Sequence, residues 1–374
     1  MSGADEQWRG PWPIRRLFDL CHFIPGKAHE PFIDPLGDYI CVNSKFISTE
    51  GAVAKACNKS VTPARKGDIL MVMSDLPNGR ALAKCFLVNE DEKYAVNQRI
   101  CILRPKADND PELLFHILNR NPYFLAFDDG VNQTHLLNPT FQKCEIAVPE
   151  TLHEQQAIAA ALSDADGVVA GLERVIAKKR LIKQGAMQDL LTARRRLPGF
   201  SGEWEKRKLG TVAMLQRGFD LPNSLRKDGD YPVVYSNGIM ATNTDYMCEG
   251  PGVVTGRSGT IGNLTFVDSP YWPHNTALWV KNFFGNSPRF VFYLLQFIDL
   301  RRFASGSGVP TLNRNDAHDD MVFVPKDLNE QKAICVVLDD MDAEIQTLES
   351  RLTKARAVKE GMMQNLLTGR VRLV

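Results

Sequence analysis

The chain repeats itself. Residues 148–197 (VPETLHEQQAIAAALSDADGVVAGLERVIAKKRLIKQGAMQDLLTARRRL) and residues 324–373 (VPKDLNEQKAICVVLDDMDAEIQTLESRLTKARAVKEGMMQNLLTGRVRL) align without a gap at a constant offset of 176, with 24 identities in 50 positions. A fainter echo precedes each copy, Gly10-Pro11-Trp12-Pro13-Ile14-Arg15-Arg16-Leu17 against Gly202-Glu203-Trp204-Glu205-Lys206-Arg207-Lys208-Leu209. A repeat of this length fixes the architecture before any single residue is interpreted. The unit is a tryptophan, a long divergent stretch, then a long helix. Close agreement in the helices and divergence between them is the pattern of two variable modules on a common frame.

The repeated segments read as coiled-coil helices. Ile158, Leu162, Ala165, Val169, Leu172 and Ile176 recur at alternating spacings of four and three, as do Ile334, Leu338, Met341, Ile345, Leu348, Leu352 and Ala355. That alternation is the heptad seam rather than a general amphipathic stripe. Each helix can run about 40 residues, roughly 60 Å at 1.5 Å per residue. Gly185 and Gly361 fall at equivalent late positions and are expected to loosen the last two turns. Charge sets the pairing. Residues 152–173 carry Glu154, Asp164, Asp166 and Glu173 without a Lys or Arg, and residues 328–349 carry six acids against Lys332. Residues 351–372 reverse the sign, with Arg351, Lys354, Arg356, Lys359, Arg370 and Arg372 against Glu360. A parallel pair stacks like on like; an antiparallel pair sets each acidic half beside a basic half, a few tenths of a kcal/mol per pair but all in one direction. An intramolecular, antiparallel, pseudo-twofold arrangement is therefore expected.

Composition narrows the class. A chain of 374 residues is expected to form about two or three domains. Apolar content of 44% and charged content of 24% are those of an ordinary globular protein. No apolar run is long enough to span a bilayer, and the polar start MSGADEQWRG has no apolar core of a signal peptide. The eight cysteines form no Cys-x-x-Cys pair, so reduced thiols and a cytoplasmic setting are expected. Net charge is only +1, yet residues 178–208 hold ten Lys/Arg against Asp189, Glu203 and Glu205. A phosphate-facing patch has that composition, and so does a solvated helix face.

The divergent stretches read as mixed α/β. In the first, Asp68–Ser74, Lys84–Val88 and Arg99–Arg104 have strand character, followed by a helix from Pro111 to Phe127 with Asp110 as N-cap. In the second, Tyr231–Tyr235, Gly252–Thr255, Leu264–Val267 and Ala277–Lys281 precede a helix opening at Ser287-Pro288. Polar, glycine-rich loops lie between these elements in both copies. The first supplies Ser74, Asn78, Arg80, Gln98, Arg99, Asn132, Gln133, Thr134 and His135; the second supplies Asn237, Arg257, Ser258, Thr260, Asn263, His274, Asn275, Ser307 and Arg314. Arg, Asn, Gln, Ser and Thr are the side chains that read base edges, and glycine lets backbone approach a phosphate. Taken singly, each loop also reads as an ordinary turn; their recurrence in both copies favours DNA contact.

Catalytic patterns are missing. Asn121-Pro122-Tyr123-Phe124 lacks the second proline of an adenine-methyltransferase loop and falls inside the expected Pro111–Phe127 helix. Gly252-Val253-Val254-Thr255-Gly256-Arg257-Ser258 has the wrong spacing for a phosphate-binding loop, and Arg in place of Lys. No His-Glu-x-x-His motif occurs. Met362-Met363 read as core. The expected class is a non-enzyme that binds no metal.

Taken together these features resemble the specificity subunits of type I restriction–modification systems. The resemblance rests on the doubled Val-Pro-x-x-x-x-Glu-Gln-x-x-Ile motif (Val148–Ile158, Val324–Ile334). It rests also on the linker Leu197-Pro198-Gly199-Phe200-Ser201-Gly202-Glu203-Trp204 and the glycine-rich stretch ahead of Pro310-Thr311-Leu312. It covers nearly the whole chain. The end at Arg372-Leu373-Val374 and the start near Gly10-Pro11-Trp12 match the two sides of that linker, so circular closure is expected. One departure is Asn132-Gln133-Thr134-His135 in place of Gly308-Val309-Pro310-Thr311.

The resemblance implies a mixed α/β fold. Residues 1–150 and 199–326 would be target-recognition domains, with a central helix over 151–198 and a distal helix over 327–374. Each domain would read one half of a bipartite site on double-stranded DNA. The helices would set the spacing and dock two methyltransferase subunits through Glu154, Gln155, Ile158, Leu162, Leu172, Glu330, Gln331, Ile334, Leu338 and Leu348. S-adenosylmethionine, ATP and magnesium would belong to the methyltransferase and motor–nuclease partners, the chain itself holding no cofactor. A specificity subunit of a type IIB enzyme and a scaffold that binds no DNA are the alternative readings.

Overall fold

The computed structural model describes residues 11–77, 79–306 and 310–373; Gly10, Asn78, Ser307, Gly308, Val309 and Val374 lie outside them. The chain divides into two compact units, one formed by Met1–Leu172 with Arg351–Val374 and the other by Glu173–Ser350.

The two long helices are present, a central one over Leu152–Leu190 and a distal one over Leu328–Leu366, each of 39 residues. Both run unbroken through Gly185 and Gly361. Their seams are buried where the heptads require: Ile158, Leu162, Ile176, Ile334, Leu338 and Ile345 fully, the remaining seam positions at least half. Unit boundaries fall inside both helices rather than at their ends. Each half-helix gives its apolar face to a recognition unit's own core, so the helices are parts of the two units and do not form separate domains. In the first unit Ile158, Leu162 and Leu366 share one core with Leu17, Ile69, Leu113 and Phe141. In the second, Met187, Leu190, Ile334 and Leu338 share one with Leu215, Val253, Phe290 and Leu294. Met362 and Met363 pack against the first core.

Helix pairing is antiparallel within each unit. In the second, Lys179 meets Glu344 at 2.6 Å, Lys183 meets Asp342 at 2.6 Å and Arg180 meets Glu349 at 2.5 Å. In the first, Asp166 meets Lys359 and Glu154 meets Arg372. Lys183, later on the central helix than Lys179 and Arg180, meets Asp342, earlier on the distal helix than Glu344 and Glu349, as the charge pattern demands.

The recognition stretches share a topology despite their divergent sequences. The first unit has a four-stranded sheet in the order Cys21–Pro25, Ile100–Pro105, Ile69–Val72, Cys85–Leu87; the second has Met214–Arg217, Ala277–Asn282, Gly252–Gly256, Leu264–Val267. A three-stranded sheet follows the same correspondence: Lys55–Cys57, Tyr39–Val42, Tyr94–Val96 against Gly238–Asn243, Tyr231–Tyr235, Trp272–Pro273. A third, two-stranded sheet ties each stretch to the start of its long helix, pairing Ile14 with Ala147 and Trp204 with Pro325. Two expectations change. The Pro111–Phe127 helix is two helices, Pro111–Leu118 and Pro122–Leu125. Pro122 has no N–H to continue the first helix and pushes Asn121 out of helical geometry, and Asn121 instead caps the second by accepting from the Tyr123 N–H at 2.9 Å. Strands at Cys21–Pro25, Tyr39–Val42, Lys55–Cys57 and Tyr94–Val96 were also not expected, being short and without clean alternation.

All eight cysteines are free and buried. Among the described residues no helix is long and apolar enough to cross a membrane.

Candidate nucleic-acid interface

In each unit three loops meet at one end of the two central strands of the four-stranded sheet, forming a recognition edge, and the same backbone bonds hold them. In the first, the Met73 N–H donates to the Arg99 carbonyl at 2.9 Å and the Leu136 N–H to the Met73 carbonyl at 2.8 Å. In the second, the Arg257 N–H donates to the Thr276 carbonyl at 3.0 Å and the Leu312 N–H to the Arg257 carbonyl at 2.8 Å. Below them, the Gly26 N–H donates to Ile100 and the Gly218 N–H to Ala277, while the Asn97 N–H donates to Val42 and the His274 N–H to Val234. These pairs put Ser74 opposite Ser258 in the correspondence, Gln98 opposite Asn275, Arg99 opposite Thr276, and His135 opposite Thr311. Ser74 pairs with His135 and Ser258 bridges to Thr311, as that requires.

The edge therefore gathers most of the sequence candidates. In the first unit Arg80, Gln98, Arg99, Gln133 and His135 are exposed. Ser74 and Thr134 are buried, and Ser74 Oγ accepts from Gln133 Nε2 at 3.2 Å. Asn132 is part of the turn itself: its N–H and Nδ2 both donate to the Asp129 carboxylate. Those bonds, the Asn132 N–H foremost, hold Asp129 down at about 2. Candidate Asn78 lies outside the described residues. Asp75 rigidifies the loop between, its Oδ2 accepting from Ala81 at 2.7 Å and Leu82 at 3.1 Å.

In the second unit Asn237 sits at the tip of the Tyr231–Tyr235/Gly238–Asn243 hairpin, exposed. Arg257, Ser258, Thr260 and Asn263 belong to one loop closed by the Gly256 N–H on the Asn263 carbonyl at 3.1 Å. A Cβ at Gly256 would strike the Thr260 carbonyl, so glycine is required there. His274 stacks beside Tyr235 with ring centroids 4.3 Å apart and shares its Nδ1 with Thr276 Oγ1 at 3.0 Å. Burial holds its imidazole below the ordinary histidine range. Asn275 is tied to Asp220. Arg314 is exposed and lines a cleft of about 440 Å³ with Arg217 and Arg257. Candidate Ser307 lies outside the described residues. Arg217 had no local signal; only the strand register brings it to this edge.

The helix residues have a different role from the one expected. Glu154, Gln155, Ile158, Leu162, Glu330, Gln331, Ile334 and Leu338 are all buried within the chain at 2% exposure or less; Leu172 and Leu348 are half-buried. Glu330 accepts from Arg196 at 2.8 and 2.6 Å and from Trp204 at 3.2 Å. Gln155 accepts from the Asp110 N–H at 2.7 Å and donates to the Pro149 carbonyl at 2.9 Å. Gln331 does the same with Ser287 at 2.8 Å and Pro325 at 3.0 Å. The glutamine of each pair thus locks its helix start to its own recognition stretch, while the glutamate holds an arginine beyond the end of the other long helix. The basic run over 178–208 is likewise half spent internally: Lys179, Arg180, Lys183, Arg196 and Lys208 are in ion pairs within the second unit. Net charge of the run therefore overstates what it offers a phosphate.

The profile of the type I restriction modification DNA specificity domain matches residues 10–179 and again residues 201–355. The chain belongs to this family. Two curated specificity subunits of Methanocaldococcus jannaschii are similar along their length. A putative type I restriction enzyme MjaX subunit is 21% identical over 97% of this chain and 94% of its own. A type I restriction enzyme MjaVIII subunit is 23% identical over 97% and 93%. The fold of this specificity-family chain is that of the S subunit of a type I restriction–modification system from M. genitalium, with a TM-score of 0.69 at 16% identity over 97% of this chain and 98% of that one. A chain solved in work on complex assembly and conformational transition of a type I system gives 0.58 at 14%, over 97% and 100%.

Proposed function

We propose that this chain is the sequence-reading, non-catalytic subunit of a type I restriction–modification complex. Each recognition unit reads one half of a bipartite site on double-stranded DNA through its three-loop edge. The two long helices fix the distance between the half-sites. They also carry two methyltransferase subunits, which bind S-adenosylmethionine and methylate adenine at N6 after flipping the base. Motor–nuclease subunits using ATP and magnesium complete the restricting form. The observation that carries this reading is the shared backbone frame around Met73 and Arg257. One scaffold presents Gln98, Arg99 and His135 in one copy and Asn275, Thr276 and Thr311 in the other, as two readers of different sequences require. Partner contacts on the helices fall to exposed positions, because the buried Glu-Gln pairs are committed internally.

The test is affinity for duplex DNA as a function of salt, with and without a co-expressed methyltransferase subunit. A specific complex shows a steep linear fall of log affinity with log salt, and the two chains co-purify. A chain with no salt-dependent DNA affinity, alone or in company, sinks the reading.

A further inference from the structure

The two recognition edges carry their arginines at different positions although their frames agree. In the second unit Arg217, Arg257 and Arg314 line one cleft of about 440 Å³. They come from three elements: the end of strand Met214–Arg217, the residue after strand Gly252–Gly256, and the first turn of helix Arg314–Asp319. The correspondence of Gly26 with Gly218, Met73 with Arg257 and Leu136 with Leu312 places Pro25, Met73 and Asn138 at the three matching positions of the first unit. None of these is charged. Among the described residues the cluster's one ion pair is Asp220 with Arg217 at 3.7 Å, and Asp220 also holds Asn275. Among the described residues Arg257 and Arg314 form no ion pair, whereas Arg196, Arg289, Arg301 and Arg302 of the same unit each face an acid.

We infer that this cleft is a backbone-phosphate clamp on the second unit alone, so that the two half-sites are gripped unequally. Like charges converging on one concave surface focus a field that an anion relieves, and the guanidinium fork matches phosphate oxygens in pairs. The first unit is neutral at the matching positions and carries its exposed arginines, Arg80 and Arg99, elsewhere on the edge. This inference rests on the DNA reading proposed above.

The experiment measures log affinity of the full chain for a duplex of mixed sequence against log salt. Removing a phosphate contact lowers the slope by about one per residue and weakens all sequences alike. Arg257→Ala and Arg314→Ala are expected to do this, Arg257→Lys and Arg314→Lys to keep the slope, and Asn138→Ala in the first unit to leave it unchanged. An unaltered slope in the alanine variants overturns the clamp while leaving DNA binding intact. A changed sequence preference at an unaltered slope also overturns it, assigning the arginines to guanine edges. A wild-type chain without salt-dependent affinity removes the DNA reading and the clamp together. The lysine variants keep the charge and guard against a misfolding artefact.

Discussion

Arg372 closes on Glu154 with two charge-assisted hydrogen bonds, Nε to Oε1 at 2.8 Å and Nη2 to Oε2 at 2.7 Å. The repeat offset of 176 maps this pair onto Arg196 and Glu330, which are bonded in the same bidentate manner. In the second unit the arginine lies on the linker after the central helix; in the first it comes from the far end of the chain, while Trp12 and Leu373 pack into the same core. Circular closure is thus realised inside the first unit.

Replacing Arg372 with alanine leaves a buried carboxylate without its cation. The expected outcome is local opening of the first unit, read as lost amide protection over 152–172 and 351–373, with the second unit unchanged. Arg372 holds the Glu154 carboxyl below its ordinary 4.5. A carboxyl depressed in the folded state contributes stability that is complete above its unfolded value and lost as pH falls through the folded one. Arg372→Ala is therefore expected to flatten the acid limb of the first unit's stability below about pH 4.5.

Gln155→Ala strands the Asp110 N–H and the Pro149 carbonyl that the buried Gln155 amide holds. A cost of about 1–3 kcal/mol for the unsatisfied groups is expected, measured by denaturant unfolding. Gln155→Glu is expected to be no better, because a carboxylate accepts from Asp110 but has no N–H for Pro149.

Acidification acts on the second unit through His318. Its Nε2 accepts from the Leu215 N–H at 2.9 Å, which an imidazolium cannot do. Burial first, and Arg314 second, hold its pKa below 6.5. For a base depressed in the folded state, the unfolded chain takes up the proton first. Stability is complete above pH 6.5 and falls as pH drops below it. Thermal melts at about pH 7 and pH 5 are expected to show a smaller acid loss in His318→Asn than in the parent chain.

Much of this was legible in the sequence because it was written twice. The helices, their length, the antiparallel charge logic and the two recognition stretches all follow from the offset. The Arg372–Glu154 bond was legible in principle, since both members are identical in the two copies. Glu154 and Gln155 were read instead as a partner surface, because a polar pair at a helix start looks solvated until burial is known. The shared frame of the recognition edges was legible only where the offset of 176 carries Leu136 onto Leu312; the rest is made of backbone bonds, which leave no side-chain signature. Arg217 was missed for the same reason, being brought to Arg257 and Arg314 only by strand register.

Exchange of residues 13–147 for another recognition stretch is expected to alter one half-site only. The exchanged piece carries both paired strands, Ile14–Arg16 and Glu145–Ala147, with it. A change in both half-sites contradicts the division into two readers. Deleting one heptad from each long helix is expected to shorten the unspecified spacer and preserve both half-sites; full activity at the original spacing refutes the helices as a ruler.

A single-molecule methylome of the host, with and without this gene, comes first. Loss of N6-methyladenine at one bipartite, asymmetric motif is expected when the gene is removed. An unchanged methylome in cells that make both this chain and a co-purifying methyltransferase contradicts the assignment of sequence reading to this chain.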